Sequence, residues 1–189
     1  MADSKLSALS ELAAAPASDD EVYIRDVSEA AANESKRITI ANLHSLGENI
    51  GIILDAALSV DGKYSGIVED GTAGTTLAFG DLVYLAVADS RWELTDADAV
   101  ATAVGKIGIC VLAAGSDGNA TRVLLFGKVR ADAAFPALTV GAPTHVGTTA
   151  GDIQVAAPSG TGDIVRIIGY GNTADELYFC PDNTYVELA

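Results

Sequence analysis

Residues 106–129 read KIGICVLAAGSDGNATRVLLFGKV, in which two apolar segments enclose the polar residues 115–118. Apolar segments of this length, rich in valine and isoleucine and separated by glycine, serine and aspartate, are typical of neighbouring strands joined by a turn. The same pattern continues from residue 63 to residue 189. Its spacing, close to the ~8 to 12 residues per strand of all-β domains, predicts an antiparallel β-barrel or sandwich.

We predict a strand at each apolar segment between these turns. The predicted strands are residues 64–68, 75–79, 82–86, 91–94, 107–113, 121–129, 164–169, 177–180 and 185–188. No segment carries the long amphipathic pattern that a βαβ unit requires, so an α/β enzyme core is not expected. The predicted fold class is therefore mainly β.

The N-terminal part of the chain follows a different pattern. Leu6, Leu9 and Leu12 recur every three residues, which places them on one side of a short helix. A helix of this length is marginal in water, so its leucines need a partner surface. Two short β-type segments follow at residues 22–27 and 37–40, and they can pair across the polar residues between them.

Residues from about 42 to 60 are ambiguous. Their segment NIGIILDAALSV, at 49–60, fits either a strand with a following helical turn or a helix weakened by Gly47 and Gly51, because periodicity cannot assign short apolar segments. We favour extended structure or a connector. The turn residues Asp61 and Gly62 then begin the regular strand pattern. The sequence thus predicts an N-terminal docking and oligomerisation arm, residues 1–60, with a small strand pair, and a C-terminal β-domain, residues 61–189.

The charge of the chain limits its partners. It has 26 acidic and 11 basic residues, a formal net charge of −15. Nucleic-acid binding requires clustered lysine and arginine, so no nucleic-acid partner is expected. The sequence has no uninterrupted apolar run of ~18 residues, and its start lacks the basic residues and apolar core of a secretory signal. We therefore expect no membrane partner and synthesis in the cytoplasm.

No group of residues forms a recognisable catalytic, cofactor or metal site. His44 and His145 are the only histidines, and we expect His145 at the surface. Cys110 and Cys180 lie in apolar segments outside any CxxC pair, which predicts two buried thiols; the alternative, a Cys110–Cys180 disulfide, is disfavoured by synthesis in the cytoplasm. Residues 93–98 alternate acidic side chains but lack the glycine and late glutamate of a calcium loop. The sequence therefore predicts no enzyme activity, cofactor or metal.

The aromatic and acidic side chains are dispersed along the chain. Trp92 and the six tyrosines stand at single strand positions, which predicts core or interface aromatics rather than a row that stacks on sugars or bases. A hydrolase acting on a host surface polymer would need two carboxylates on one face, and the sequence shows only scattered ones. A hydrolase of this kind is therefore less favoured than a binding or structural protein.

Two parts of the chain resemble structural proteins of the tailed-bacteriophage virion. Residues 6–47, LSALSELAAAPASDDEVYIRDVSEAAANESKRITIANLHSLG, are similar to the amino-terminal module of tail-fibre, head-fibre and capsid-decoration subunits. Several later segments resemble the carboxy-terminal β-domain of head-decoration and fibre-like proteins. They are GDLVYL at 80–85, LLFGKVR at 124–130, LTVGAPTHVGTTAGDI at 138–153, APSGTGDIVRIIGY at 157–170 and ELYFCPDNTYVEL at 176–188.

The resemblance implies a capsid decoration, cement or head-fibre subunit on the outer surface of the phage head. Its expected partners are the major capsid protein and two further copies of itself in a homotrimer. The alternative is a tail-fibre or baseplate subunit, anchored by its N-terminal module, whose β-domain contacts the host. In either case the apolar residues of the arm are the predicted partner-binding residues: Leu6, Leu9, Leu12, Val22, Tyr23, Ile24, Ile38, Ile40 and Leu43.

Overall fold

The computed structural model describes residues 21–25, 35–39 and 53–189. Backbone contacts divide the chain into two units, Met1–Gly51 and Ile52–Ala189. The boundary that the sequence predicted, after residue 60, thus lies inside the second unit.

Within its described residues, the first unit contains one antiparallel strand pair. Strand β1 (Glu21–Arg25) pairs with β2 (Ser35–Thr39), and the register sets Val22 opposite Ile38. This pairing confirms the small strand pair predicted for the N-terminal arm.

The regular structure of the second unit is almost entirely antiparallel strand, which confirms the predicted fold class as mainly β. Its one helix among the described residues, α1 (Val100–Ala103), is a single turn. The strands are β3 (Lys63–Thr72), β4 (Leu82–Leu85), β5 (Trp92–Leu94), β6 (Ile107–Leu112), β7 (Ala120–Arg130), β8 (Pro143–Val146), β9 (Ile153–Gln154), β10 (Ile164–Val165), β11 (Ile167–Gly171), β12 (Glu176–Phe179) and β13 (Val186–Glu187).

Nine of these strands form one curled sheet, a half-barrel. Their order is β5-β4-β6-β7-β12-β11-β8-β9, and β3 pairs with β7 outside this path. Strands β10 and β13 form a separate antiparallel pair. Every strand pairing is antiparallel, and turns or loops join the consecutive neighbours β4 and β5, β6 and β7, β8 and β9, and β11 and β12; the other pairings bring together strands that do not follow each other in the chain.

Strand β7 is the centre of this sheet. Strand β3 pairs with it along its whole length, from Ala120 to Arg130. Strand β6 pairs with residues 122–124 of β7, and β12 pairs with residues 127–130. Because one edge of a strand takes one partner at each position, β3 occupies one edge of β7, and β6 and β12 share the other.

Two glycines allow β3 and β7 to approach closely. Gly66 lies directly opposite Gly127, whose φ of +136° is one that L side chains rarely adopt. A Cβ atom on Gly127 would lie 2.7 Å from the Cα atom of Gly66 and would also overlap the carbonyl oxygen of Ser65. A bulge follows at once, because Ile67 pairs with Phe126 but Val68 pairs with Leu124.

The sheet around β7 has a hydrophobic core on each face. Strand β6 shows this alternation, because Ile109 packs in the larger core and its neighbour Cys110 packs in the smaller one. The larger core fills the half-barrel. The smaller core contains Ala73, Leu77, Val83, Trp92, Cys110, Ala114 and Val123.

Three features of the strand prediction are wrong. Residues 75–79 form no strand, because Leu77 makes only an isolated bridge to Ala114 while its side chain closes the smaller core. The predicted strand 164–169 is divided at Arg166 into β10 and β11. The sequence also missed β8 and β9, which are short and lie in a segment rich in glycine, proline and threonine.

Residues 53–60 form neither helix nor strand, yet they pack on the sheet. Leu58 is buried, and its N–H group donates a 2.8 Å hydrogen bond to Oε2 of Glu176. Its carbonyl oxygen accepts a 3.1 Å hydrogen bond from Nη1 of Arg130. Lys128 donates to the carbonyl oxygens of Asp55 and Ala56. This segment therefore contributes to the β unit, as a connector and not as a helix.

We predict that Gly127→Ala destabilises the protein far more than Gly118→Ala. Both glycines have positive φ, but the space around a Cβ on Gly118 is open, whereas Gly127 faces backbone. We expect a loss of about 1 kcal/mol for Gly118→Ala, from backbone strain alone. The Gly127→Ala loss should be at least twice as large, measured by urea unfolding. Equal losses would show that the β3–β7 crossing tolerates a side chain.

We predict that a fragment of residues 52–189 unfolds cooperatively without the N-terminal arm. A shorter fragment, residues 61–189, should be less stable by about 2 to 5 kcal/mol, because it loses the buried Leu58 and leaves Glu176 and Lys128 without these partners. Thermal and urea unfolding of both fragments measure the difference. Aggregation of the longer fragment would mean that the β unit depends on residues 1–51.

Candidate functional site

The predicted partner-binding residues lie at the start of the chain, where the structure describes only strands β1 and β2. Within this pair Val22 is opposite Ile38, Tyr23 is opposite Arg37, and Ile24 is opposite Lys36. The register thus brings four of the predicted residues into one strand pair: Val22, Tyr23, Ile24 and Ile38. The others lie outside the described residues: Leu6, Leu9, Leu12, Ile40 and Leu43.

A second surface, which the sequence did not reveal, lies on the outer face of the half-barrel. Tyr178 stands between two core residues of β12, so its side chain leaves the opposite face of the sheet. Tyr170 is its direct partner on β11, and Pro143 is the partner of Tyr170 on β8. Direct cross-strand partners share a face, so the three side chains lie side by side.

Two further side chains extend this row across β7 and β3. The rings of Phe126 and Tyr178 meet edge to face, with centroids 5.6 Å apart and planes at 79°. Ile67 is the partner of Phe126 on β3. We call Ile67, Phe126, Tyr178, Tyr170 and Pro143 the aromatic strip. It crosses five neighbouring strands, a distance of about 19 Å at the usual spacing of strands.

Much of the aromatic strip is accessible to solvent. Ile67 is 44% exposed and Tyr170 is 41% exposed, Pro143 is exposed, and Phe126 and Tyr178 are half-buried. The prediction that the tyrosines stand singly is therefore wrong for Tyr170 and Tyr178, which are direct cross-strand partners. Tyr170 and Tyr178 lie close in sequence across a turn, which is the one local signal of their pairing. Phe126 is distant in sequence, and only the sheet order brings it to them.

A buried ion pair borders the strip. Lys128 is the partner of Tyr178 on β7, and its ammonium group lies 3.7 Å from Oε1 of Glu176. It also donates hydrogen bonds of 2.7 and 3.0 Å to the carbonyl oxygens of Asp55 and Ala56. The side chain of Glu176 is only 2% exposed. Both charges are thus compensated inside the protein, and this pair offers no charge to a ligand on the strip.

Arg166 is the other strongly buried charge, and its contacts are structural. It donates to the carbonyl oxygens of Ala103 and Gly105 at 3.1 Å each, and to that of Asp182 at 2.7 Å. Burial lowers the pKa of Arg166. Because its hydrogen bonds run to backbone carbonyl groups, it ties the end of α1 and the segment after β12 to the sheet.

His145 is buried, which contradicts the expected surface position. It is 7% exposed and lies between Ile167 of β11 and Gln154 of β9. Its Nδ1 atom is buried without a hydrogen-bond partner among the described residues. The surface position was expected because the sequence placed His145 at a strand edge, whereas β8 has a partner strand on each side. His44 lies outside the described residues, so the structure does not place the two histidines together.

Hydrogen bonds from backbone N–H groups fix the acidic segment 93–98. The N–H group of Ala97 donates to the carbonyl oxygen of Gly147 at 2.8 Å, and that of Asp98 donates to Oδ1 of Asp96 at 3.0 Å. Desolvation, together with the carboxylates of Asp96 and Asp163, raises the pKa of Asp98. Among the described residues, no group of three or more His, Cys, Asp or Glu side chains is arranged to hold a metal ion.

Both cysteines are free thiols. Cys110 is fully buried in the smaller core, where its Sγ atom lies 3.6 Å from Oγ1 of Thr121, which confirms the predicted core position. Cys180 is only half-buried, so its predicted burial is confirmed in part. Burial raises the pKa of each thiol, which lowers its reactivity at neutral pH.

Comparison of the chain with protein-family models, with curated proteins and with solved structures finds no match. Within the part of the chain that the structure describes, no helix has the length and apolar character needed to cross a bilayer. A function therefore has to be inferred from the residues of this chain.

We predict that neither a chelator nor a thiol reductant changes the thermal stability of the purified protein. The described residues contain no group of side chains arranged to hold a metal ion, and both thiols are free. The chelator therefore has no metal ion to remove there, and the reductant has no disulfide to cleave. The melting temperature should shift by less than about 2 °C. Differential scanning calorimetry with and without EDTA or dithiothreitol measures it. A fall of many degrees with EDTA would reveal a bound ion.

Proposed function

We propose that this protein is a non-enzymatic subunit of a tailed-phage virion. It binds the outer surface of the head as a decoration, cement or head-fibre subunit, with the major capsid protein as its partner and as a homotrimer. The resemblance of residues 6–47 and of the later β segments to such subunits supports this proposal, and so does the division of the chain into two units.

The observation that carries the proposal is that the second unit has a hydrophobic core of its own, whereas the sequence of the first unit offers none. The second unit has its own sheet and its own two cores. Among its described residues the first unit contributes one strand pair, and the apolar residues of its sequence are too many for an exposed arm and too local to form a core of their own. Burying such apolar side chains against a partner surface is more favourable than leaving them exposed to water. The arm therefore attaches the subunit, and the β unit is displayed.

The distribution of charge favours a position away from the packaged genome. The net charge is −15. Six basic residues of the described β unit already contact carboxylate or carbonyl groups of the protein, so they do not form a phosphate-binding surface. They are Arg91, Lys106, Arg122, Lys128, Arg130 and Arg166.

The proposal predicts that Leu9→Asp with Leu12→Asp releases the subunit from phage heads. Burial of each leucine is worth about 1.5 to 3 kcal/mol, so losing both should weaken attachment at least about 100-fold. Purified wild-type and variant subunits are added to heads that lack the protein, and bound subunit is quantified after sedimentation. Because the contact is apolar, wild-type attachment should change little between low and high salt.

The matched control is Val87→Asp, which adds a charge at a fully exposed position between β4 and β5. It should bind heads as wild type does. Normal occupancy of the double variant would refute attachment through the arm. Recovery of the protein in a few copies with separated tails, instead of at the abundance of the major capsid protein, would favour the tail-fibre alternative.

A further inference from the structure

We propose that the aromatic strip is a binding site for neutral carbohydrate, with sugar rings stacked on Tyr170 and Tyr178. This proposal goes beyond head attachment and does not depend on it, since it concerns the β unit and not the arm.

The shape of the strip matches the chemistry of a sugar chain. A sugar ring presents C–H groups on its faces, which pack on the electron-rich face of an aromatic ring, and hydroxyl groups at its rim. Tyr170 and Tyr178 offer apolar rings that end in hydroxyl groups, at directly opposite positions of β11 and β12. Phe126 fixes Tyr178 by its edge-to-face contact. The two tyrosines therefore provide a preorganised stacking surface.

The charges around the strip exclude an anionic ligand. Lys128, the cation beside Tyr178, is engaged by Glu176 and by two carbonyl groups. The protein as a whole carries a charge of −15, which repels nucleic acid and acidic polysaccharide. A neutral ligand that presents hydroxyl groups needs no free cation and is not repelled by the negative charge of the protein.

The area of the strip favours a small ligand over a protein. A large aromatic side chain has about 150 to 250 Å² of surface; Ile67 and Tyr170 are less than half exposed, and Phe126 and Tyr178 are less exposed still, so the strip offers on the order of 300 Å². A stable protein interface needs about 800 Å² on each partner. The strip alone is too small for a second copy of the chain, whereas a few sugar rings cover it.

The test uses the purified full-length protein and an array of neutral, sialylated and sulfated oligosaccharides. The strongest neutral oligosaccharide is then titrated by calorimetry into wild type, Tyr170→Ala and Tyr178→Ala. We expect affinity to fall about tenfold in each variant, the size of an aromatic contact. Tyr170→Trp should retain binding because it keeps a stacking ring.

The control is Tyr185→Ala, because Tyr185 is 46% exposed and lies outside the strands of the strip. It should bind as wild type does, and thermal melts should show that each variant is folded. If Tyr178→Ala does not fold, the more exposed Tyr170 decides the outcome. Binding of no neutral oligosaccharide, binding of anionic ones only, or unchanged affinity in Tyr170→Ala would overturn the proposal. So would loss of self-association in Tyr170→Ala with unchanged sugar binding.

Discussion

The β unit depends on the pairing of β7 along both of its edges. An eleven-residue strand that pairs with β3 on one side, and with β6 and then β12 on the other, joins the two halves of the sheet. The facing glycines, Gly66 and Gly127, let β3 and β7 approach without side chains between them. Since a strand partner must satisfy the N–H and C=O groups on each edge, a change at this crossing affects the order of the whole sheet.

Buried and half-buried charged side chains hold the irregular segments to this sheet. Segments without strand structure cannot satisfy their backbone groups in a ladder, so they require side-chain partners. Glu176, Lys128 and Arg130 supply these for residues 55–58, and Arg166 supplies them after α1 and after β12. Long charged side chains suit this task because each makes several hydrogen bonds from one buried position. These charged side chains therefore stabilise the fold by hydrogen bonding to the backbone of the irregular segments.

This use of charge shapes the surface on which function is proposed. Ion pairs such as Arg122 with Asp70 and Lys106 with Glu69 neutralise cations locally, while the remaining carboxylates keep the surface acidic. The aromatic strip is an uncharged band within this acidic surface. A subunit with an apolar arm, an acidic β unit and one uncharged band has separate surfaces for attachment, for solubility and for contact with a neutral partner.

By itself the sequence determined the fold class, most of the strands, the strand pair of the arm and the core positions of Trp92 and Cys110, because side-chain alternation and turn residues are local signals. Only the tertiary structure decided which strands are neighbours. The sheet order buries His145 between two strands and brings Phe126 into contact with Tyr178, beside Tyr170. It also places Leu77, from the predicted strand 75–79, in the smaller core. Register between strands distant in the chain depends on how the whole sheet packs, and no local pattern encodes it.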